Sequence, residues 1–331
     1  YISYNSTDVK KGTLFICKGL NFKDQYLYDA IEKGAFCYVA EKVIREDFPH
    51  IIVSDMRKAM SETGRLYYDS VWNDRLKMVG ITGTKGKSTT ATFLKSIIDD
   101  YCRENHKKEA GFISGIYTYN GESKVKAKKM ATPETLRLHR LLAECSENGC
   151  EYLVMETSSQ ALKYERTEAL KYHTGVFLNV SEDHISDREH PDFEDYFTSK
   201  LKIFDQCRIG CVNLDMEQPF LDRVLKAAAD KCEKVITFTT KEEMSQRADY
   251  YGYNISSTPS SVSFRVRRDG REDDIAVSIG GYYNASNAMA AIAAAGSLDI
   301  PFKNIKEGLC DVKVAGRMEL YHLSDKDVDV I

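Results

Sequence analysis

The stretch that decides the fold covers residues 79–90, Val-Gly-Ile-Thr-Gly-Thr-Lys-Gly-Lys-Ser-Thr-Thr. An apolar run leads into a glycine-rich turn, and a helical pattern follows directly. Gly83 and Gly86 permit backbone conformations that a Cβ would penalise, so the N–H groups of the turn can point inward at an anion. The following helix adds the positive end of its dipole. Lys87 and Ser88 then stand where the phosphates and Mg²⁺ of a nucleoside triphosphate are held.

The match to the general phosphate-binding loop is incomplete, because Ile81 occupies the position where that pattern has its first glycine. The strand, the second glycine and the helix nevertheless favour phosphate binding over a solvated turn. The residues predicted to bind the nucleotide here are Gly83, Thr84, Lys85, Gly86, Lys87, Ser88 and Thr89.

The composition is that of an ordinary globular protein. A chain of 331 residues is too long for one core, so two or three domains are expected. A net charge of −4 gives no nucleic-acid footprint, and no apolar run is long enough to cross a membrane. Nine cysteines without a C-x-x-C pair favour reduced thiols over a zinc site. We therefore expect a cytoplasmic protein, a monomer that binds neither nucleic acid nor membrane.

Alternating apolar strands and amphipathic helices predict an α/β fold. A small αβ domain is expected over residues 1–75, followed over 76–313 by a doubly wound, mostly parallel sheet that carries the glycine-rich loop. A β-hairpin region is predicted around Asp269-Gly270, and an alanine-rich helix after it. Residues 314–331 are expected to begin a C-terminal domain that is otherwise absent.

Two polar runs follow successive buried strands. Glu156 ends the strand that starts at Tyr152, and His184 closes the run 179–184 after the next strand. Parallel strands bring their carboxyl ends to the ligand edge of a sheet, so both side chains are expected near the glycine-rich loop. Each alone is more typical of a capping or surface residue. Beside a phosphate site, a carboxylate and an imidazole indicate metal binding.

Seven segments, distributed over nearly the whole chain, resemble the Mur ligase family, and within it the UDP-N-acetylmuramoyl-tripeptide synthetases. They are residues 5–15, the glycine-rich loop, Ala131-Thr132-Pro133-Glu134, residues 155–159, residues 179–184, residues 196–204 around Lys200, and residues 283–288 with Gly316-Arg317-Met318-Glu319.

The resemblance implies an ATP-dependent amide ligation. The γ-phosphate of ATP passes to the terminal carboxylate of UDP-N-acetylmuramoyl-L-alanyl-D-glutamate, and the amine of an amino acid attacks the acyl phosphate. It implies that residues 1–75 bind the UDP-sugar, that 76–313 bind ATP and that the C-terminal domain binds the amino acid. Whether lysine or diaminopimelate is added stays open. Without most of that domain, the chain is expected to bind nucleotide weakly and to form no amide.

The same resemblance assigns roles residue by residue. Lys87, His184 and Lys200 are implied in catalysis, and Lys200 corresponds to a lysine that is carbamylated in the family. Two Mg²⁺ ions are implied, and the metal ligands are Ser88, Glu156, His184 and carbamylated Lys200. Asn287 and Arg317 are implied to contact the nucleotide. The residues implied to bind the UDP-sugar peptide are Ser6, Thr132, Ser158 and Arg166.

The chain departs from the family pattern at Ala131, Gln160, Tyr164 and Glu182, all on the sugar-peptide side. For Lys200, an exposed helix lysine beside Lys202 is the alternative. Two other functions stay open: a non-catalytic nucleotide-binding module derived from a Mur ligase, and another P-loop NTPase. The second would place a Walker-B aspartate where this chain has Glu156.

Overall fold

The computed structural model describes residues 1–19, 21–68, 72–127, 130–183, 185–186, 189–312, 321–323 and 328–330. The chain divides into two compact units. The first, called the N-terminal unit, comprises Tyr1–Ser70, Pro133–Ala143 and Tyr164–Ala169. The second, called the central unit, comprises Val71–Thr132, Glu144–Lys163 and Leu170–Ile331. Both units combine helices with a mainly parallel sheet, which confirms the predicted α/β fold.

The N-terminal unit has a four-stranded parallel sheet in the order β1-β2-β3-β4. Its strands are β1 Ile2–Ser3, β2 Thr13–Ile16, β3 Ala35–Ala40 and β4 His50–Ile52, and its helices are α1 Asp24–Glu32 and α2 Met56–Tyr67. A short 3-10 helix, Ser6–Asp8, follows β1, with Asn5 as its cap. Phe15, Leu27 and Tyr38 are fully buried in the core of this unit.

The central unit has an eleven-stranded sheet in the order β15-β14-β13-β12-β11-β10-β5-β9-β6-β7-β8. Its strands are β5 Lys77–Thr82, β6 Gly111–Ile113, β7 Tyr117–Tyr119, β8 Lys124–Lys126, β9 Tyr152–Glu156, β10 Tyr172–Phe177, β11 Cys207–Asn213, β12 Lys234–Thr239, β13 Tyr250–Ser257, β14 Val262–Arg268 and β15 Arg271–Val277. Strands β6 and β9–β13 run parallel along the sheet with β5, while β7, β8, β14 and β15 extend it as antiparallel hairpins.

The remaining helices follow in chain order. They are α3 Trp72–Arg75, α4 Lys87–Glu104, α5 Thr135–Glu147 (divided between the two units), α6 Ser159–Lys163, α7 Phe193–Leu201, α8 Phe220–Lys231, α9 Tyr283–Ser297 and α10 Phe302–Cys310, with 3-10 helices Lys202–Gln206 and Glu242–Met244. A separate two-stranded antiparallel pair joins β16 Tyr321–Leu323 to β17 Val328–Val330. Among the described residues, no helix combines the length and the apolar character needed to cross a bilayer.

Strand β5 lies at the point where the strand order reverses. The chain leaves β5 for β6 and β9 on one side, and then crosses to β10, β11 and β12 on the other. In open α/β sheets, ligands bind beyond the carboxyl ends of the strands at such a switch point. The three segments that meet there are the loop after β5, the end of β9 at Glu156, and the run that follows Phe177 of β10.

The alanine-rich helix α9 lies in the core, where it packs against α4 and the sheet. Seven of its alanines are fully buried: Ala285, Ala288, Ala290, Ala291, Ala293, Ala294 and Ala295. Small side chains let helices and strands approach closely. A small residue also allows close packing between α10 and α4, because a Cβ built on Gly308 would lie 2.5 Å from the Cα of Ile97. The core under the switch point is therefore close-packed and has no room for larger side chains.

The substitution Ala291→Leu is expected to destabilise the chain by about 1–3 kcal/mol, because the extra atoms must displace helices already in contact. Urea unfolding followed by circular dichroism measures the loss. Ala229→Leu on the exposed side of α8 is the matched control and should change stability by no more than about 0.5 kcal/mol. Equal effects of the two substitutions would contradict this account of the core.

Candidate active site

The loop over residues 83–88, hereafter the phosphate loop, connects β5 to α4. Gly86 has φ +87, and a Cβ built on it would lie 2.3 Å from Oδ1 of Asn287. A Cβ on Gly83 would lie 2.8 Å from the Cβ of Leu178. Glycine is thus required at both positions, by backbone conformation and space at Gly86 and by space at Gly83.

The phosphate loop leads into the amino end of an 18-residue helix. Helix α4 begins at Lys87, and its N-cap, Gly86, has no side chain to accept a hydrogen bond from the first turn. The N–H groups of a first helical turn have no partner within the helix, and the helix dipole makes this end positive. The arrangement is an anion-binding site formed by backbone.

Asn179 holds the phosphate loop in this conformation. Its Oδ1 accepts hydrogen bonds from the backbone N–H groups of Thr84 and Lys85, both at 3.0 Å. Its Nδ2 donates to the carbonyl of Lys85 at 3.1 Å. A further bond links the hydroxyl of Thr84 to the N–H of Ser181, at 3.0 Å. The segment that follows β10 therefore supports the loop that follows β5.

Two lysine side chains meet at one carbonyl of this loop. Nζ of Lys87 donates to the carbonyl oxygens of Gly83 and Thr84, at 2.8 and 2.9 Å. Nζ of Lys200 donates to the same Gly83 oxygen at 2.9 Å, and this residue is only 1% exposed. Lys200 is therefore no surface lysine of α7.

The surroundings of Lys200 disfavour its charged form. Burial lowers its pKa well below 10.5, the nearby cation Lys87 lowers it further, and Asp183 opposes the shift. Its ammonium also lies over the ring of Tyr196, 4.3 Å from the ring centroid. A lysine in such a place can act as a neutral amine, which is the nucleophilic form.

Glu156 is the last residue of β9 and is 2% exposed. Its Oε1 accepts a hydrogen bond from the N–H of Gly115 at 2.8 Å. The Thr132 hydroxyl donates to the Glu156 carbonyl at 2.8 Å and accepts from the N–H of Ser158 at 3.0 Å. Thr132 therefore fixes the backbone around Glu156, while the Ser158 hydroxyl accepts from the N–H of Ala161, at 3.2 Å, in the first turn of α6.

The oxygen donors present suit magnesium. The Ser88 hydroxyl and the Glu156 carboxylate are hard ligands of the kind that Mg²⁺ prefers. Within the part of the chain that the structure describes, no three His, Cys, Asp or Glu side chains gather into a metal cluster. His184, predicted as a further ligand, lies outside the described residues, and so does Arg317.

Asn287 lies on α9 against the phosphate loop. It is 8% exposed, and its Nδ2 donates to Oδ1 of Asn284 at 2.9 Å. Asn284 in turn donates to the carbonyl of Gly280 at 2.7 Å. The exposed rings of Tyr282 and Tyr283 begin the same helix. Asn284 and Asn287 therefore hold each other in place beside the phosphate loop, and two exposed aromatic rings lie at the start of the same helix.

The other predicted substrate residues lie in the N-terminal unit. Ser6 is in the 3-10 helix, and its carbonyl accepts from Nζ of Lys33 at 2.8 Å. The guanidinium of Arg166 lies 3.0 Å from Oε1 of Glu134, whose other oxygen pairs with Lys18. These two cations around one carboxylate carry a net positive charge, which suits an anionic ligand.

One of the departures from the family pattern makes a local contact of its own. The ring of Tyr164 lies under the guanidinium of Arg57, 4.1 Å from its centroid, within the N-terminal unit. Ala131 lies near Gly115, where a Cβ would be 3.6 Å from the Cβ of Ala131. Gln160 is half-buried in α6 and Glu182 is exposed. Nothing in the structure explains why Ala131, Gln160 and Glu182 differ from the family.

Two residues of this site were not predicted from the sequence: Asn179 as a support of the loop, and Tyr196, whose hydroxyl donates to that of Thr84 at 3.1 Å. Their type and spacing gave no signal, because each acts through a contact with a residue far away in the chain. Only the grouping of residues 179–184 and 196–204 as family segments drew attention to this region.

An α/β sheet with a phosphate loop at its switch point defines a nucleotide-binding protein, and the comparison with known families gives a more specific result. The family named Mur ligase middle domain matches residues 81–295. The chain belongs to the Mur ligase family.

Curated relatives share a third or more of the sequence. A UDP-N-acetylmuramoyl-L-alanyl-D-glutamate–2,6-diaminopimelate ligase from Clostridium perfringens is 34% identical over 96% of this chain and 64% of its own length. A UDP-N-acetylmuramoyl-L-alanyl-D-glutamate–L-lysine ligase from Streptococcus thermophilus is 36% identical over 97% and 62%. A UDP-N-acetylmuramyl-tripeptide synthetase from Lactococcus lactis is 37% identical over 96% and 62%. The chain thus spans less than two thirds of the length of these relatives.

Solved structures share the fold. The structure of a UDP-N-acetylmuramoyl-L-alanyl-D-glutamate–2,6-diaminopimelate ligase has a TM-score of 0.82 at 20% identity, over 97% of this chain and 64% of that one. A MurF ligase from Thermotoga maritima, solved in complex with ADP, has a TM-score of 0.65 at 16% identity, over 97% and 68%.

Asn179→Ala is expected to loosen the phosphate loop. It removes three hydrogen bonds worth about 0.5–1.5 kcal/mol each, so the amides of Thr84 and Lys85 should exchange with solvent at least about tenfold faster. Hydrogen exchange followed by mass spectrometry measures this rate. Asn120→Ala, which removes a similar support from the turn between β7 and β8, is the control. Unchanged exchange at residues 84–85 in the Asn179 variant would contradict the proposed support.

Proposed function

We propose that this protein is an ATP-dependent amide ligase of peptidoglycan precursor synthesis, which adds the third amino acid to UDP-N-acetylmuramoyl-L-alanyl-D-glutamate. The observation that carries the proposal is the convergence of Lys87 and Lys200 on the phosphate loop at the switch point, with Glu156 at the end of the adjacent strand β9. The names of the relatives, which combine these substrates in one activity, support it.

The proposed reaction has two steps. A carboxylate oxygen of the dipeptide attacks the γ-phosphorus of ATP, the bond to the β–γ bridging oxygen breaks, and ADP leaves. The amine of the incoming amino acid then attacks the acyl phosphate, inorganic phosphate leaves, and the nitrogen loses a proton as the amide forms. Two anions must approach each other in the first step, so positive groups at the phosphates are the main requirement.

This chain supplies those positive groups. The first turn of α4 presents N–H donors to the phosphates, and Lys87 adds a full charge at the start of the same turn. Ser88 and Glu156 have the donor types to hold one Mg²⁺, and a carbamylated Lys200 with His184 would hold a second. When bound, Mg²⁺ offsets the negative charge of the phosphoryl oxygens. Asn284 and Asn287 are proposed to orient the adenine.

Carbamylation would reverse the charge of Lys200. The neutral amine attacks the carbon of CO₂, the new N–C bond forms, and the nitrogen loses one proton. The product is a carboxylate-like ligand whose remaining N–H can still donate to the carbonyl of Gly83. The lowered pKa of Lys200 supports this proposal, because only the neutral amine reacts.

The N-terminal unit is proposed to bind the UDP-sugar. A cavity of about 180 Å³ opens beside the start of the 3-10 helix that holds Ser6. Asn5, Arg137 and Arg140 are among its lining residues, and guanidinium groups suit a diphosphate. Thr132, Ser158 and Arg166 are proposed to contact the sugar and peptide. The relatives include both diaminopimelate- and lysine-adding enzymes, so the amino acid is left open.

Ligand binding tests the function. Mg-ATP and UDP-N-acetylmuramoyl-L-alanyl-D-glutamate should each raise the melting temperature of the chain. In calorimetry, Lys87→Ala should weaken Mg-ATP binding at least tenfold, a loss of about 1.4 kcal/mol or more, because the phosphates lose their paired cation. Lys226→Ala on the exposed side of α8 is the control. Binding of ATP without the UDP-dipeptide would favour another P-loop NTPase, and binding of both without turnover in any longer form would favour the non-catalytic module.

Carbamylation gives a pH-dependent prediction. With ¹³C-bicarbonate, the chain should show a carbamate resonance near neutral pH that Lys200→Ala abolishes and Lys202→Ala retains. The signal should fade as the pH drops through the lowered pKa of Lys200, because the amine is then protonated. A carbamate that forms only near pH 10, as expected for an ordinary lysine of pKa about 10.4, would refute the role of Lys200.

A further inference from the structure

Three side chains form a hydrogen-bonded chain between α6 and α7, of which two are buried and the carboxylate is partly exposed. Nδ1 of His190 lies 2.6 Å from Oδ2 of Asp195, and its Nε2 lies 3.0 Å from the hydroxyl of Ser159. His190 is fully buried. Ser159 is the first residue of α6, and Asp195 lies in the first turn of α7. We call these three residues the His190 clamp.

The protonation of the clamp follows from its surroundings. Burial lowers the pKa of His190, and the hydrogen bond to Asp195 opposes the shift only in part. Asp195 also accepts from Lys163 at 2.6 Å, and these bonds keep its pKa below the ordinary value despite burial. A neutral imidazole has one N–H, which Asp195 takes, so Nε2 accepts from Ser159.

The order Ser-His-Asp matches that of a nucleophilic triad, but the environment excludes that role. Ser159 is 5% exposed, and its hydroxyl is tied to a histidine without any exposed surface. A nucleophile must reach its substrate, whereas this hydroxyl lies inside the central unit. The His190 clamp therefore connects helices α6 and α7.

Tyr196 connects the His190 clamp to the phosphate loop. The ring of His190 packs edge-on against that of Tyr196, with centroids 5.1 Å apart and planes at 72°. The hydroxyl of Tyr196 donates to the hydroxyl of Thr84 at 3.1 Å. The face of the same ring carries the ammonium of Lys200. One aromatic side chain thus contacts the clamp, the loop and the buried lysine.

At its other end the clamp meets the segment that follows β9. Ser159 comes three residues after Glu156 and directly after Ser158, so a shift of α6 moves the backbone that places both. The two halves of the candidate site, one after β9 and one on α7, have His190 between them.

We propose that His190 is a positioning residue: it fixes Tyr196, and through Tyr196 it holds Thr84 and Lys200 in the geometry that binds the nucleotide phosphates. The proposal rests on the proposed function for its nucleotide readout and goes beyond it by assigning a residue that touches neither ATP nor metal. It predicts that the clamp affects the phosphate loop more than it affects overall stability.

The test compares two substitutions at one position. His190→Ala should weaken Mg-ATP binding at least tenfold in calorimetry and speed hydrogen exchange at residues 84–87 several-fold. His190→Asn should restore part of both, because its amide N–H can donate to Asp195 in place of Nδ1 but offers Tyr196 no ring to pack against. If His190→Ala does not fold, Ser159→Ala removes only the Nε2 bond and should still speed exchange at residues 84–87.

His139→Ala is the matched control. His139 is equally buried, but it belongs to the N-terminal unit. Its removal should lower the melting temperature and leave the Kd for Mg-ATP and the exchange of residues 84–87 unchanged. Equal losses in the His139 and His190 variants, no recovery in His190→Asn, or normal loop exchange in His190→Ala or Ser159→Ala would each overturn the proposal.

The two hypotheses fail in different ways. A wild-type chain that does not bind Mg-ATP would refute the proposed function, and exchange at residues 84–87 in the nucleotide-free chain would still decide on the clamp. A wild-type chain that binds Mg-ATP while His190→Ala binds it equally well would refute the clamp alone.

Discussion

The carbonyl oxygen of Gly83 accepts hydrogen bonds from the ammonium groups of both Lys87 and Lys200, and the candidate site is arranged around this shared acceptor. Two cations at one oxygen repel each other. The pKa that falls is that of Lys200, because this residue is buried and lies beside Lys87. The lysines are therefore not equivalent. A phosphate would compete with the Gly83 carbonyl for Lys87, which is the first residue of α4. Lys200 would still donate a hydrogen bond to that carbonyl. The carbonyl of Gly83 can therefore lose its bond to Lys87 and still have a donor in Lys200.

The sequence predicted those parts of the molecule that depend on local pattern. The α/β fold, the strand–loop–helix unit around Lys87 and the hairpin at Asp269-Gly270 are confirmed, because periodicity and turn chemistry act over a few residues. The inclusion of residues 133–143 and 164–169 in the N-terminal unit was not predicted. No pattern within those short segments indicates with which part of the chain they pack.

In the candidate site, too, some features follow from local sequence pattern and others depend on contacts between distant residues. Glu156 at the end of β9 follows from the rule that parallel strands present their carboxyl ends together, and the structure places it there. The burial of Lys200 and the roles of Asn179 and Tyr196 depend on contacts between residues up to 117 positions apart. Such contacts become visible only once the sheet has fixed which loops are neighbours. His184 and Arg317 lie outside the described residues and stay predictions.

The narrow gap between Gly86 and Asn287 limits how this site can change. Any side chain at position 86 would meet the Asn287 amide and would also strain a backbone with φ +87. Shortening Asn287 would relieve only the first obstacle, and it would break the bond to Asn284 that ties the amide in place. A change at either position alone therefore costs stability, through strain at Gly86 or through the lost bond at Asn287. A protein engineer who wishes to widen the gap between Gly86 and Asn287 would have to rebuild the start of α9 and the phosphate loop together.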